Sequence, residues 1–221
     1  MNYSIILYIL GWVLSLQGVF MLPPCLVGLI YKEYHDALIY IIISVCCTVA
    51  GIPLRRLNSK NKTFYAKEGF VAVTMSWIIL SITGAIPFVL NGDIPSFVNA
   101  LFEIISGYTT TGSSILTNVE GLSHANLFFR SFSHWIGGMG VLVFILAILP
   151  MTGGSTMNLL KAESPGPSVG KLVPKMQQTA FILYTIYFIM TIVETILLLL
   201  GGMPLFDSLC HAFWTELEMR R

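Results

Sequence analysis

Charge is what this 221-residue sequence has least of. Only 10% of its residues are Asp, Glu, Lys or Arg, and the formal net charge is +1. A nucleic-acid surface needs a concentrated basic footprint, so no nucleic acid is expected as a partner. Cysteine is scarce as well. Cys25, Cys46, Cys47 and Cys210 lie in apolar segments without Cys-x-x-Cys or His-linked spacing, so they read as structural thiols rather than metal or redox ligands. Met1-Asn2-Tyr3-Ser4 carries no basic residue, and the apolar run behind it exceeds the core of a secretory signal, so a retained span is expected there. What remains is apolar bulk. Residues of the AVILMFWYC set make up 55%, and mean hydropathy is +0.79. The fold class is an all-α integral membrane protein embedded in a lipid bilayer.

Five transmembrane helices are expected. Residues 3–30 form the first, kinked or ended near Pro23-Pro24, and residues 37–54 form the second. The loop after it, Arg55-Arg56-Leu57-Asn58-Ser59-Lys60-Asn61-Lys62 with Lys67 just beyond, is the most basic in the chain. The positive-inside rule makes it cytoplasmic and puts the N-terminus inside. Residues 68–90 run outward to an external turn, Asn91-Gly92-Asp93-Ile94-Pro95. Residues 96–107 are apolar but cover only ~18 Å as a helix, against a hydrocarbon core of about 30 Å, and so read as a re-entrant half-helix. Residues 124–149 return inward, with Gly137-Gly138-Met139-Gly140 giving a surface for close helix packing. Residues 151–175, carrying Lys161, Lys171 and Lys175, form a second cytoplasmic loop, and residues 176–200 span outward again. The organisation is a two-helix pair (1–66), a complete span–pore loop–span repeat (67–150), the loop (151–175) and a partial second repeat (176–221).

Between half-helix and return span lies Gly107-Tyr108-Thr109-Thr110-Thr111-Gly112-Ser113-Ser114, too polar to face lipid. A Thr-rich run closing on Gly suits a cation filter, in which successive carbonyls face the ion and Gly permits backbone angles that other residues resist. The pattern recurs at an offset of 109: Gly92, Pro95 and Phe97 fall on Gly201, Pro204 and Phe206. The same offset sets Thr109–Gly112 opposite Glu218-Met219-Arg220-Arg221, where two arginines would repel a cation. The second half-helix is expected to form, and the second filter is not.

These residues resemble the Trk/Ktr/HKT superfamily of potassium transporters, in particular its bacterial TrkH-type membrane subunits. The resemblance rests on Phe102–Ser113, on Phe128-Phe129-Arg130-Ser131-Phe132-Ser133-His134-Trp135-Ile136-Gly137-Gly138-Met139-Gly140, and on Gly202–Phe213, and it extends from residue 1 to about 213. It implies four span–loop–span repeats around one pore, with Gly112 as the filter glycine of the first. K⁺ would be the transported ion, held by the backbone carbonyls of Thr109, Thr110, Thr111 and Gly112, chiefly Thr110 and Thr111; no other cofactor is implied. It further implies a homodimer in the bacterial cytoplasmic (inner) membrane, a cytosolic nucleotide-binding regulatory subunit, and a filter loop entering from outside. The third and fourth repeats have no counterpart here, and Trp214–Arg221 departs from the family, so a frameshifted or truncated product is expected. A non-conducting or purely structural membrane protein is the alternative.

Three supporting residues stand out. Glu103 could bond a neighbouring loop's backbone and brace the filter. Arg130 carries two readings, snorkelling to the interface or pairing with a buried acid. Ser113 follows the filter glycine. An intramembrane hydrolase would need Ser113 with His124 or His134 as base, and no spacing arranges that. No enzyme is expected.

Overall fold

The computed structural model describes residues 3–56, 66–140 and 176–215, folded into eight helices. They are α1 (Tyr3–Phe20), α2 (Leu22–Ile30), α3 (Tyr34–Arg56), α4 (Ala66–Asn91), α5 (Phe97–Tyr108), α6 (His124–Met139), α7 (Met176–Leu200) and α8 (Leu205–Thr215). Among the described residues four helical stretches are long and apolar enough to cross a membrane: Tyr3–Ile30, Tyr34–Arg56, Lys67–Asn91 and Phe181–Leu200. The fifth expected span differs. α6 stops at Met139, because Gly140 takes φ 66° and turns the chain out of the helix. The remainder of that expected span lies outside the described residues, as do Lys60, Lys62, the 151–175 loop and Glu218–Arg221.

The first expected span is two helices separated at Met21, just before Pro23-Pro24. The prolines occupy the first turn of α2, where the missing N–H groups would lack helical partners anyway. Continuity is kept by Met21 N donating to Gln17 O (3.1 Å) and Cys25 N donating to Met21 O (3.4 Å).

α1 and α3 pack antiparallel along a seam of small residues. Gly18 faces Ser44 and Thr48 near one end, and Gly11 faces Gly51 and Leu54 near the other. Ser44 Oγ donates across the seam to Gly18 O (2.6 Å), and Ser15 Oγ donates within α1 to Gly11 O (2.8 Å). Lipid tails are as apolar as the helices, so association depends on this close contact and on hydrogen bonds rather than on hydrophobic burial.

The turns that close α4 and α7 differ in length by one residue. α7 closes with a Schellman pattern: Gly202 N donates to Leu199 O (3.0 Å) and Met203 N to Leu198 O (3.2 Å), with Gly202 at φ 90°. α4 repeats the first bond, Gly92 N to Val89 O (3.2 Å), but the second comes from Ile94 rather than Asp93 (Ile94 N to Phe88 O, 3.1 Å). The left-handed glycines are therefore Gly92 and Gly202, not Gly92 and Gly201, and Asp93 is an inserted residue. Its carboxylate accepts from Ser123 N (2.9 Å) and Asn126 Nδ2 (2.7 Å), tying the turn to the start of α6.

A side chain at Gly51 has no room. Its Cβ would lie 2.6 Å from Gly11 O and 3.1 Å from Ser15 N, both backbone atoms. Gly51→Val should therefore destabilise the chain by about 1–3 kcal/mol, read as a lower unfolding temperature in detergent. Val49→Leu on the exposed face of the same helix should leave it unchanged.

Candidate functional site

The site begins at the C-terminal end of α5. Thr110 N donates to Gly107 O (2.9 Å) and Thr111 N to Ser106 O (2.9 Å), a Schellman closure with Thr110 at the left-handed position. That position favours Gly, yet it holds a β-branched residue at φ 57°. Thr109 Oγ1 donates to Ile105 O (2.7 Å) and lies 2.8 Å from Thr111 Oγ1, so two hydroxyls are fixed within the turn. Gly112 follows at φ 75°, with the Trp214 indole of α8 beside it, 3.7 Å from where a Cβ would sit. Among the described residues no donor reaches the backbone carbonyls of Thr109, Thr110, Thr111 or Gly112. The next carbonyl, Ser113 O, accepts from Ser106 Oγ (2.6 Å).

Behind this turn lies a buried ion pair. Glu103 of α5 and Arg130 of α6 meet with Arg130 Nε 2.6 Å from Glu103 Oε1, and their side chains are 0% and 7% exposed. Arg130 therefore pairs with a buried acid and does not snorkel. The second carboxylate oxygen accepts from Ile115 N (3.2 Å), so Glu103 braces the backbone of its own loop rather than a neighbour's. One face of α5 thus holds the strand beyond Gly112 twice, through Glu103 to Ile115 and through Ser106 to Ser113.

Glycines set how closely α6 approaches. Gly137 lies against the Tyr108 backbone, where a Cβ would come 2.8 Å from the carbonyl carbon, and Gly107 lies against Ser133. Tyr108 is buried and donates to Gln17 Oε1 of α1 (3.1 Å), linking the end of α5 to the N-terminal pair. Gln17 is a lone amide in a long apolar run, a signal that sequence reasoning passed over.

The start of α6 is held from three directions. Glu33 Oε1 accepts from His124 N (3.0 Å) and Oε2 from Ala125 N (3.1 Å), while Ser123 Oγ accepts from Asn126 N (3.4 Å). With Asp93 on Ser123 N, the first four N–H groups all have carboxylate or hydroxyl partners. Asn126 Oδ1 accepts from Tyr40 Oη (2.6 Å), and the His124 ring stacks on Tyr31 with centroids 4.0 Å apart. Sequence reasoning missed Glu33, Asp93 and Asn126 because each acts across 30 or more residues.

The two histidines are engaged away from Ser113. His124 Nδ1 pairs with Glu33 (2.8 Å) and His134 Nδ1 with the Arg130 carbonyl (2.9 Å). No hydrogen bond among the described residues joins either to Ser113. At the far end of α6, Tyr184 Oη donates to Met139 O (3.1 Å) and Tyr187 Oη to Trp135 O (3.2 Å), docking α7.

Removing one member of the Glu103–Arg130 pair leaves a buried charge unmatched. Glu103→Leu or Arg130→Met alone should lose about 3–5 kcal/mol of stability, and the double variant should lose far less than the sum. A double-mutant cycle from unfolding temperatures reads this. Thr110→Gly should act the other way. It relieves about 1–2 kcal/mol of left-handed strain and loses about 0.5–1 kcal/mol to backbone entropy, so the same assay should show a small gain.

Comparison with known proteins adds a relationship to this geometry. Residues 35–215 match a family model, TrkH, described as a cation transport protein. The Trk system potassium uptake protein TrkG of Escherichia coli K12 is 33% identical over 216 residues, which is 97% of this chain and 44% of that protein. The corresponding TrkH of Vibrio parahaemolyticus is 36% identical over 221 residues, covering 97% of this chain and 45% of that protein. The crystal structure of the potassium transporter TrkH from Vibrio parahaemolyticus superposes with a TM-score of 0.77 at 31% identity, covering 96% of this chain and 42% of that one. The chain spans less than half the length of the relatives it matches.

Proposed function

The chain belongs to the TrkH family of cation transport proteins, and from that premise we propose that it serves potassium transport across a bacterial inner membrane. In this reading Thr109, Thr110, Thr111 and Gly112 form one strand of a potassium filter. The observation that carries the reading is the set of four consecutive carbonyls at the end of a short apolar helix that receive no donor among the described residues. Carbonyls left free by the fold are available to replace the hydration shell of K⁺. The C-terminal end of α5 adds the negative end of its dipole, and the left-handed angles at Thr110 and Gly112 let successive peptide groups change direction.

The proposal extends to topology and assembly. α5 enters the membrane from outside and returns through 109–114. Arg55, Arg56 and Lys67 face the cytoplasm together with the N-terminus. This arrangement is supported by the shared end of the molecule at which the α2–α3 turn, Asp93 and the start of α6 meet, opposite those basic residues. Further filter strands, a dimeric arrangement and a cytosolic nucleotide-binding subunit follow from family membership. The reaction class is ion translocation, without covalent chemistry.

The test is potassium uptake in a transport-deficient bacterium by a chimera in which residues 1–215 replace the matching part of the Vibrio relative. Uptake is expected, and Gly112→Ser should reduce it at least tenfold, about 1.4 kcal/mol in barrier. Equal uptake by the Gly112→Ser chimera would overturn the filter assignment. A folded wild-type chimera without uptake would favour the purely structural alternative.

A further inference from the structure

A second polar feature lies away from the filter, where the N-terminal part of α1 meets the C-terminal end of α3. Tyr8 and Trp12 of α1 and Ile52, Arg55 and Arg56 of α3 line a cavity of about 380 Å³. It opens laterally: Ile52 is 39% exposed and Arg56 is exposed. The Arg55 guanidinium sits over the Trp12 ring, 4.8 Å from its centroid, which fixes the arginine's direction by cation–π attraction. Among the described residues neither arginine has a carboxylate partner. The Trp12 indole N–H in the same wall is enclosed and has no acceptor among the described residues.

Two unpaired guanidiniums, a hydroxyl and an aromatic wall make a site for a phosphate anion. Arginine offers planar N–H pairs that match phosphate oxygens. We propose that this cavity binds the phosphate of an anionic lipid headgroup, with the acyl chains lying along Ile52 and the exposed face of α3. A lipid is favoured over a soluble phosphate because the opening is at an apolar helix surface. It is favoured over an acidic protein because Tyr and Trp beside a helix-end arginine pair are the residues that settle at the headgroup level. The site needs the chain to be in a bilayer, and it does not depend on the filter or on which side of the membrane the arginines face.

The measurement is native mass spectrometry of the full chain released from detergent, titrated with phosphatidylglycerol and with phosphatidylcholine. Wild type should retain phosphatidylglycerol about thirtyfold more strongly, the ratio expected of two arginines near the surface. The Arg55→Gln/Arg56→Gln variant should bring the two lipids to parity. Arg55→Lys/Arg56→Lys should keep most of the preference because the charge remains, and this guards against a folding defect. Lys32→Gln, at the α2–α3 turn, removes a positive charge at the other end of α3 and should keep the preference whole. Retention that ignores headgroup charge, or an Arg-to-Gln pair that keeps the preference, would overturn the assignment. So would displacement of phosphatidylglycerol by millimolar inorganic phosphate, which would mark a soluble-anion site. An Arg-to-Gln pair that loses only the capture of a soluble acidic protein would likewise overturn it. Potassium uptake is not read, so failure here is separable from failure of the filter proposal.

Discussion

A carboxylate and a guanidinium buried against each other between two helices constrain everything around them. Glu103 and Arg130 are almost without solvent, and neither charge is tolerable there alone. Because one sits on α5 and the other on α6, their pairing sets the distance and register between these helices. Because Glu103 also accepts from Ile115 N, the same pair fixes where the chain goes after Gly112. The turn itself contains few internal bonds beyond its helix-end closure. Its shape is set from behind, by groups on a helix face, and the carbonyls of Thr109–Gly112 receive no donor among the described residues.

That brace works only if α6 stays in place along its length. At one end its N–H groups are taken by Glu33, Asp93 and Ser123, which come from three separate loops. In the middle, Gly137 and Gly107 let its backbone touch the end of α5. At the other end, tyrosines of α7 take up its last carbonyls. The hydrogen bonds at the two ends satisfy backbone groups that would otherwise need water. The Phe128, Phe132, Trp135 and Phe213 cluster then fixes α8 against α6 and sets Trp214 beside Gly112.

Much of this was legible in the sequence, because apolar length and punctuation are local signals. The twelve-residue α5, the helix boundary just before Pro23-Pro24 and the pairing of a long helix with a short one in α4–α5 and α7–α8 follow from hydropathy, proline and glycine. What was not legible depends on pairs distant in sequence. Nothing near Arg130 identifies Glu103 as its partner 27 residues earlier, and nothing near Asp93 shows that it caps a helix 30 residues later. The left-handed Thr110 was hidden for another reason: local preference calls for Gly there, and the surrounding closure overrides it. The end of α6 at Gly140 was passed over because the apolar run continues beyond it, so hydropathy alone predicted one unbroken span.

In the proposed filter the carbonyls of Thr109–Gly112, held from behind by Glu103, are the ion ligands. Anomalous diffraction from Rb⁺-soaked crystals of the chimera locates the ion. Ordered Rb⁺ is expected within coordination distance of these carbonyls in the wild type, and lost or displaced in Glu103→Leu combined with Arg130→Met, which keeps the core neutral but removes the bond to Ile115. Rb⁺ bound elsewhere in the wild type, with these four carbonyls unoccupied, would contradict it.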